Sequence, residues 1–353
     1  MNDFTLLVQA ESAGKPVFWP QLLSRLPFFT GAKLEILSVP AQPVIQGKLI
    51  CIPQKVSLRK PVSKRQYFSG PSTSLLEKRR TRFKTRVLGV GESDYEGLED
   101  TLQTDRVITF TRGYAYRASV LRNLIQQISQ DKKVPLSRLK VAITGMEGSL
   151  GRLCAQVLAT QCQYLTLIGS SETHFQHLAS RILYDTGVTV RNGREAATAF
   201  QEAEVLVLAD QQPGKWGGRE LDLLASGTWV IGVNSRIFKT KFLRRSDIYW
   251  VPSLMVESPG IIQGRICPFF KVLISISSEI WSPWLRQLSR DLDQPAPRLI
   301  LPASMVETII LAMDNRLVLP ASGEDVTIKQ VEQIERVGIQ AGFKPRLYYL
   351  AGE

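Results

Sequence analysis

The chain has 353 residues, 44% of them hydrophobic, with 44 Lys and Arg against 32 Asp and Glu. That is long enough for two domains, each with its own core, and the opening "MNDFTLLVQA" has neither a basic start nor a long apolar run, which argues against a secretory signal. No segment approaches the roughly 18 apolar residues needed to span a bilayer, so a cytoplasmic protein is expected.

The net charge of +12 is unevenly placed. Between Lys55 and Arg86 stand eleven basic residues and one acid, Glu77, a net charge of +10. Such a patch attracts polyanions or an acidic protein, and its bland alternative is a solvated loop and helix. The four cysteines, Cys51, Cys154, Cys162 and Cys267, form no CxxC pair and no zinc spacing, and read as reduced packing thiols. The two histidines, His174 and His177, fall on one helix without a third ligand at a useful offset and read as a surface face.

In chain order, "FTLLVQA", "AKLEILSVP" and "VIQGKLICIP" predict strands, followed by a basic loop to about Ser74. Ser74 and Glu77 form an S-x-x-E box, predicting a basic helix over "LLEKRRTRFKTRVL". A strand in "RVITFT" then passes, at Gly113, into helical spacing through Tyr116, Val120, Leu121, Leu124, Ile125 and Ile128. From about Ser137, strands "KVAIT", "YLTLIG", "VTVR", "EVLVLA", "TWVIGV" and "IYWV" alternate with helices at 149–161, 172–185, 194–202 and 218–226. Apolar strands alternating with helices imply a parallel sheet covered on both faces. Two tail helices follow, one opened by a Ser304 to Glu307 box and one ending at Gly342.

The expected fold is therefore α/β: a Rossmann-type doubly wound parallel sheet with a smaller N-terminal α/β domain and C-terminal helices. The expected boundaries are 1–112, a connecting helix 113–136, the nucleotide domain 137–297, and helices 298–353 packing back on the N-terminal part.

The turn Thr144-Gly145-x-x-Gly148-x-x-Gly151 follows a strand and opens a helix. Gly145 permits a tight turn, Gly148 lets backbone approach a pyrophosphate, and Gly151 lets the helix pack close. Thr144, Gly145, Glu147, Gly148, Ser149, Leu150 and Gly151 are the candidate cofactor residues, with the helix N-terminus facing the phosphates. At the end of the second strand, Ser170 and Ser171 stand where NAD enzymes carry a carboxylate, which favours NADPH over NADH. No Tyr-x-x-x-Lys pair occurs, so the turn does not indicate an ordinary short-chain dehydrogenase.

In "VIQGKLICIP", "RRTRFKTRVL", "ITFTRGYAYRASV", "KVAITGMEGSLGRLCAQVL", "AEVLVLADQQPG" and "DVTIKQVEQIERVGIQAGFKP", taken in order, the chain resembles the long-chain acyl-[acyl-carrier-protein] reductases, which form fatty aldehydes with NADPH. The resemblance implies that Gly145, Gly148 and Gly151 hold the pyrophosphate, and that Arg79, Arg80, Arg82 and Lys84 meet an acidic acyl carrier protein. The family's acyl-accepting cysteine is absent, because Val256-Glu257-Ser258-Pro259 stands in its place. Cys267, Tyr114 and Lys84 are the candidate catalytic residues, with Tyr116 as a further proton donor. Three readings follow: a reductase of a carbonyl or thioester, a nucleotide- or carrier-binding protein without turnover, and a nucleic-acid binder using the basic segment.

Overall fold

The computed structural model describes residues 2–9, 29–36, 45–52, 85–90, 109–169, 171–193, 195–209, 222–233, 245–259, 262–266, 299–314, 316–320 and 326–351. The chain divides into two compact units. The first comprises Met1–Gly113, Glu257–Ala321 and Ala341–Phe343, and the second Tyr114–Val256, Ser322–Gln340 and Lys344–Glu353.

The first unit carries β1 (Asn2–Gln9), β2 (Phe29–Ile36), β3 (Ile45–Ile52), β4 (Thr85–Val90) and β5 (Thr109–Thr111), joined from later in the chain by β13 (Ile262–Ile266). They form one sheet in the order β13-β2-β3-β1-β4-β5. β1 runs parallel to β3 and β4, and β4 to β5, while β2 and β13 are antiparallel. Short strand β14 (Ile300–Pro302) leads into α5 (Ala303–Met313), whose apolar sequence is buried from Ala303 to Ala312 as it packs over β4 and β1. Gly89 admits this helix: a Cβ there would stand 2.0 Å from the Thr308 hydroxyl. Arg86 donates to the Ala312 carbonyl, closing the last turn of α5.

Two expectations for this unit change. The basic helix expected over 75–88 cannot reach its end, because Thr85–Val90 is strand β4, pairing with β1 and β5; the rest of the expected helix lies outside the described residues. Burial of Val87, Leu88 and Val90 in the sheet decides against the helical pattern. Ser304 and Glu307 do not form a capping box either. Pro302 is the N-cap, and Glu307 instead accepts a hydrogen bond from the Thr111 hydroxyl inside the unit.

The second unit begins with α1 (Tyr114–Lys132) and contains β6 (Lys140–Ile143), α2 (Ser149–Ala159), β7 (Tyr164–Ile168), α3 (Glu172–Thr186), β8 (Arg191–Gly193), α4 (Ala196–Glu202), β9 (Val205–Leu208), β10 (Trp229–Gly232) and β11 (Tyr249–Val251). Short strand β12 (Met255–Glu257) follows, and near the C-terminus come α6 (Ile328–Gln340), β15 (Lys344–Arg346) and β16 (Leu350–Ala351). The main sheet has the order β16-β11-β10-β9-β6-β7-β8, parallel except for β16. Sequence order therefore runs outward from β6 to β8 on one side, and from β9 to β11 on the other. That is a doubly wound, Rossmann-type sheet.

Both faces are covered. Alternate residues Ala142, Leu206, Leu208, Val230 and Trp250 pack with Ala199 and Phe200 of α4. The intervening Val141, Ile143, Val205, Val207 and Ile231 are equally buried, which accounts for the near-continuous apolar strands. The strand expected at 188–191 lies slightly later, at Arg191–Gly193, where it pairs with Thr166 to Ile168. The helix expected over 218–226 falls partly outside the described residues, and Leu223 and Leu224 are turn and bend rather than helix.

The two compact units group these segments in their own way. The connecting helix 113–136 belongs to the second unit, and residues 257–297, expected in the nucleotide domain, group with the first. Of the tail helices, α5 packs in the first unit, and α6 packs against α1 and α2 in the second.

Candidate functional site

β6 ends at the point where the strand order reverses, between β7 and β9, so the turn that follows it opens onto the crevice at the carboxyl ends of the strands. Thr144 anchors that turn. Its N–H donates to the Val207 carbonyl at 2.9 Å, and its side chain is fully buried. Gly145 follows with φ +82°, the left-handed region that favours glycine. Its carbonyl accepts from the Gly148 N–H at 3.0 Å, closing the turn. A Cβ on Gly151 would lie 2.2 Å from that same carbonyl, so the close pass of α2 under the turn requires glycine at 151.

Gly148 is different. It is the N-cap of α2 at φ −91° and ψ 149°, extended backbone that any residue adopts, and no side chain caps the helix. Backbone conformation thus does not call for glycine at 148. A missing side chain in front of a helix N-terminus leaves room for an anion to approach the first-turn N–H groups. Arg152 braces the loop from below, donating to the carbonyl of Glu147 at 3.0 Å and reaching that of Met146 at 3.5 Å.

The side chains expected at the cofactor divide accordingly. Thr144 and Leu150 are turned into the core and can offer only backbone, whereas Glu147 is exposed at the tip and Gly148 and Ser149 are half-buried. Beyond β7, Gly169 has φ +82°. Ser171 is the N-cap of α3, its hydroxyl oxygen accepting from the His174 N–H at 3.4 Å. Ser170 lies outside the described residues. The backbone turn and the extended Gly148 at the N-terminus of α2 together have the form that a dinucleotide pyrophosphate requires.

The expected catalytic residues are not brought to this turn by any contact described. Cys267 and Lys84, with Arg79, Arg80 and Arg82, lie outside the described residues. Tyr114 is buried at the start of α1. Tyr116 is almost fully buried, and desolvation pushes its phenol well above the ordinary value near 10, so it is a poor proton donor. Pro259 stands where the resembled family has its cysteine, and Ser258, just before it, is buried and engaged: its hydroxyl oxygen accepts from the Leu299 N–H at 3.1 Å, and its own N–H donates to the Leu299 carbonyl at 2.8 Å. It holds one backbone segment to another. His174 and His177 are exposed on α3. Among the described residues no group of three or more His, Cys, Asp or Glu could hold a metal ion, and no helix is long and apolar enough to cross a membrane.

Sequence reasoning missed Asn192 and Gln176 beside Glu172. It also missed a reciprocal cap on α6, where Thr327 N–H donates to Gln330 Oε1 at 2.9 Å and Gln330 N–H donates to Thr327 Oγ1 at 3.3 Å. The T-x-x-Q spacing was a usable signal for the cap. Nothing local marked the Asn192 contact, which bridges two elements.

No family model matches the chain, and no curated protein does. Among solved structures it is similar to an L-alanine dehydrogenase, at 15% identity over 43% of this chain and 52% of that one, with a TM-score of 0.30. It is also similar to L-tryptophan dehydrogenase from Nostoc punctiforme, at 11% identity over 96% and 90% of the two chains, TM-score 0.37. A third is a Thermococcus litoralis Δ1-pyrroline-2-carboxylate reductase, at 15% identity over 36% and 41%, TM-score 0.27. The chain spans about half the length of the alanine dehydrogenase it matches. The fold is defined by the strand order itself, and these likenesses add nothing to it.

Proposed function

We propose that the chain is an NADPH-dependent oxidoreductase acting on a carbonyl or acyl thioester, with the cofactor pyrophosphate held at the turn from Gly145 to Gly151. The supporting observation is Gly148: an ordinary extended backbone, a residue without a side chain, and a helix N-terminus behind it at the switch point of the sheet. Backbone of Gly148, Ser149 and Leu150 would meet the phosphates, Gly145 and Gly151 would keep the turn tight, and Arg152 would keep its carbonyls turned back. When bound, the cofactor supplies a hydride to an electrophilic carbon. The chain would have to orient that carbon and provide a proton. Of the residues the sequence offers for this, Cys267, Tyr114 and Lys84 remain candidates, and Tyr116 is disfavoured by its burial. The resemblance to acyl-[acyl-carrier-protein] reductases supports a thioester substrate, and the basic residues Arg79, Arg80, Arg82 and Lys84 suit an acidic carrier protein.

A second reading, a nucleotide- or carrier-binding protein without turnover, is favoured by one observation. Pro259, which has no nucleophilic side chain, stands in the family's cysteine position, and the neighbouring Ser258 has its hydroxyl oxygen committed to Leu299.

The test is fluorescence titration with NADPH, followed by an acyl-carrier-protein thioester while the absorbance of the reduced cofactor is recorded. Saturable binding with loss of absorbance is the expected result. Gly148→Val should weaken NADPH binding about 100-fold, ~2.7 kcal/mol, with an unchanged far-ultraviolet circular dichroism spectrum. Unchanged affinity in that variant would remove the turn as the site. Binding without turnover would move the assignment to the second reading.

A further inference from the structure

Glu172 is the first carboxylate in sequence after the end of β7, the place where a dinucleotide's adenosine ribose meets a Rossmann-type sheet. As the first residue of α3 it could face a ribose 2′ position and would repel a phosphate there. Its two oxygens are both drawn elsewhere. Oε1 accepts from Gln176 Nε2 at 3.1 Å, one turn further along α3. Oε2 accepts from Asn192 Nδ2 at 3.1 Å. Asn192 lies in β8, paired with Leu167 of β7. Because β7 sits between β6 and β8, Asn192 stands on the side of β7 away from the glycine turn.

The N-terminus of α3 keeps a different group in front. Ser171 caps it by accepting from the His174 N–H, and the Ser171 hydroxyl proton can still be donated outward.

We infer that Glu172 is a specificity-determining residue, held out of the ribose site by Asn192 and Gln176, so that the chain accepts a 2′-phosphorylated dinucleotide. The inference rests on the reading that the glycine turn binds a dinucleotide. Releasing the carboxylate would let it reach a ribose 2′-hydroxyl, which favours the unphosphorylated cofactor.

The experiment is a pair of fluorescence titrations, NADPH and NADH, on the full chain and on an Asn192→Ala/Gln176→Ala variant. The wild type should prefer NADPH. The variant should shift the ratio of dissociation constants about tenfold toward NADH, and adding Glu172→Gln to it should return the ratio to the wild-type value. Asn192→Ala alone should shift the ratio in the same direction by less, which serves if the double variant melts early. A ratio that moves less than about twofold, or a shift that Glu172→Gln does not reverse, overturns the inference. A wild type that binds NADH more tightly than NADPH overturns it too, while leaving the dinucleotide site standing. A wild type that binds neither removes both.

Discussion

Cys154 lies within α2 with no exposed surface. Burial pushes its thiol up to about 12, against a smaller opposing pull from the Arg117 charge. Cys162 is buried as well and is pushed up to about 11. Neither is a nucleophile at neutral pH, since the thiolate is the reactive form. The shift also makes a stability statement. An unfolded cysteine loses its proton near 9, whereas the folded chain keeps both protons to about 11 or 12. Their contribution is therefore fully present below about pH 9 and is lost as pH rises through the folded values, at up to about 1.4 kcal/mol per pH unit for each thiol. Urea melts should show stability falling between about pH 9 and about pH 11, with a shallower fall in Cys154→Ala. A thiol reagent should label both residues only after unfolding. The packing role of these thiols was legible from their spacing, because it follows from what is missing: a partner. The role of Ser258 was not, because Leu299 lies far along the chain.

At the scale of elements, α6 shows how a helix is held. Val331 and Ile334 bury its apolar stripe, while Glu335 receives Arg122 and, at 2.5 Å, Asn123 Nδ2, both from α1. The side chains of Arg122 and Glu335 are only 10% and 14% exposed. Glu335→Ala would leave a buried guanidinium without its main partner, for a loss of about 3 kcal/mol, read as a lower urea midpoint. Arg122→Met/Glu335→Leu should recover most of that loss, because replacing both charges removes the unpaired group. Periodicity made α1, α2, α3 and α6 legible. It misled at β4, where a stretch of mixed basic and apolar residues reads as a helix face, yet Val87, Leu88 and Val90 bury in a sheet. It misled again at Ser304. The capping spacing is present, but Pro302 already begins the helix and Glu307 is drawn to Thr111.

For the whole molecule, the two compact units carry different elements. The second holds the doubly wound sheet and its glycine turn, and the first a mixed sheet covered by α5. If the turn binds NADPH, saturation at about 100 times the dissociation constant should stabilise the second unit by about 2.7 kcal/mol. Hydrogen exchange should then slow at 144–151 and along α2, while β1 to β3 exchange as before. Equal slowing in both sheets, or none at the turn, would place the cofactor elsewhere.

The features that could be read without the fold are local ones. Apolar strands alternating with helices specify a buried parallel sheet, and the glycines at 145 and 151 specify the tight turn, because both follow from the steric demands of neighbouring residues. It took the folded chain to decide which unit claims residues 257–321, which strands Thr85 to Val90 join, and where Glu172 points. Each of these depends on a partner distant in the chain, Thr308 against Gly89 or Asn192 against Glu172, and no local pattern encodes such a contact.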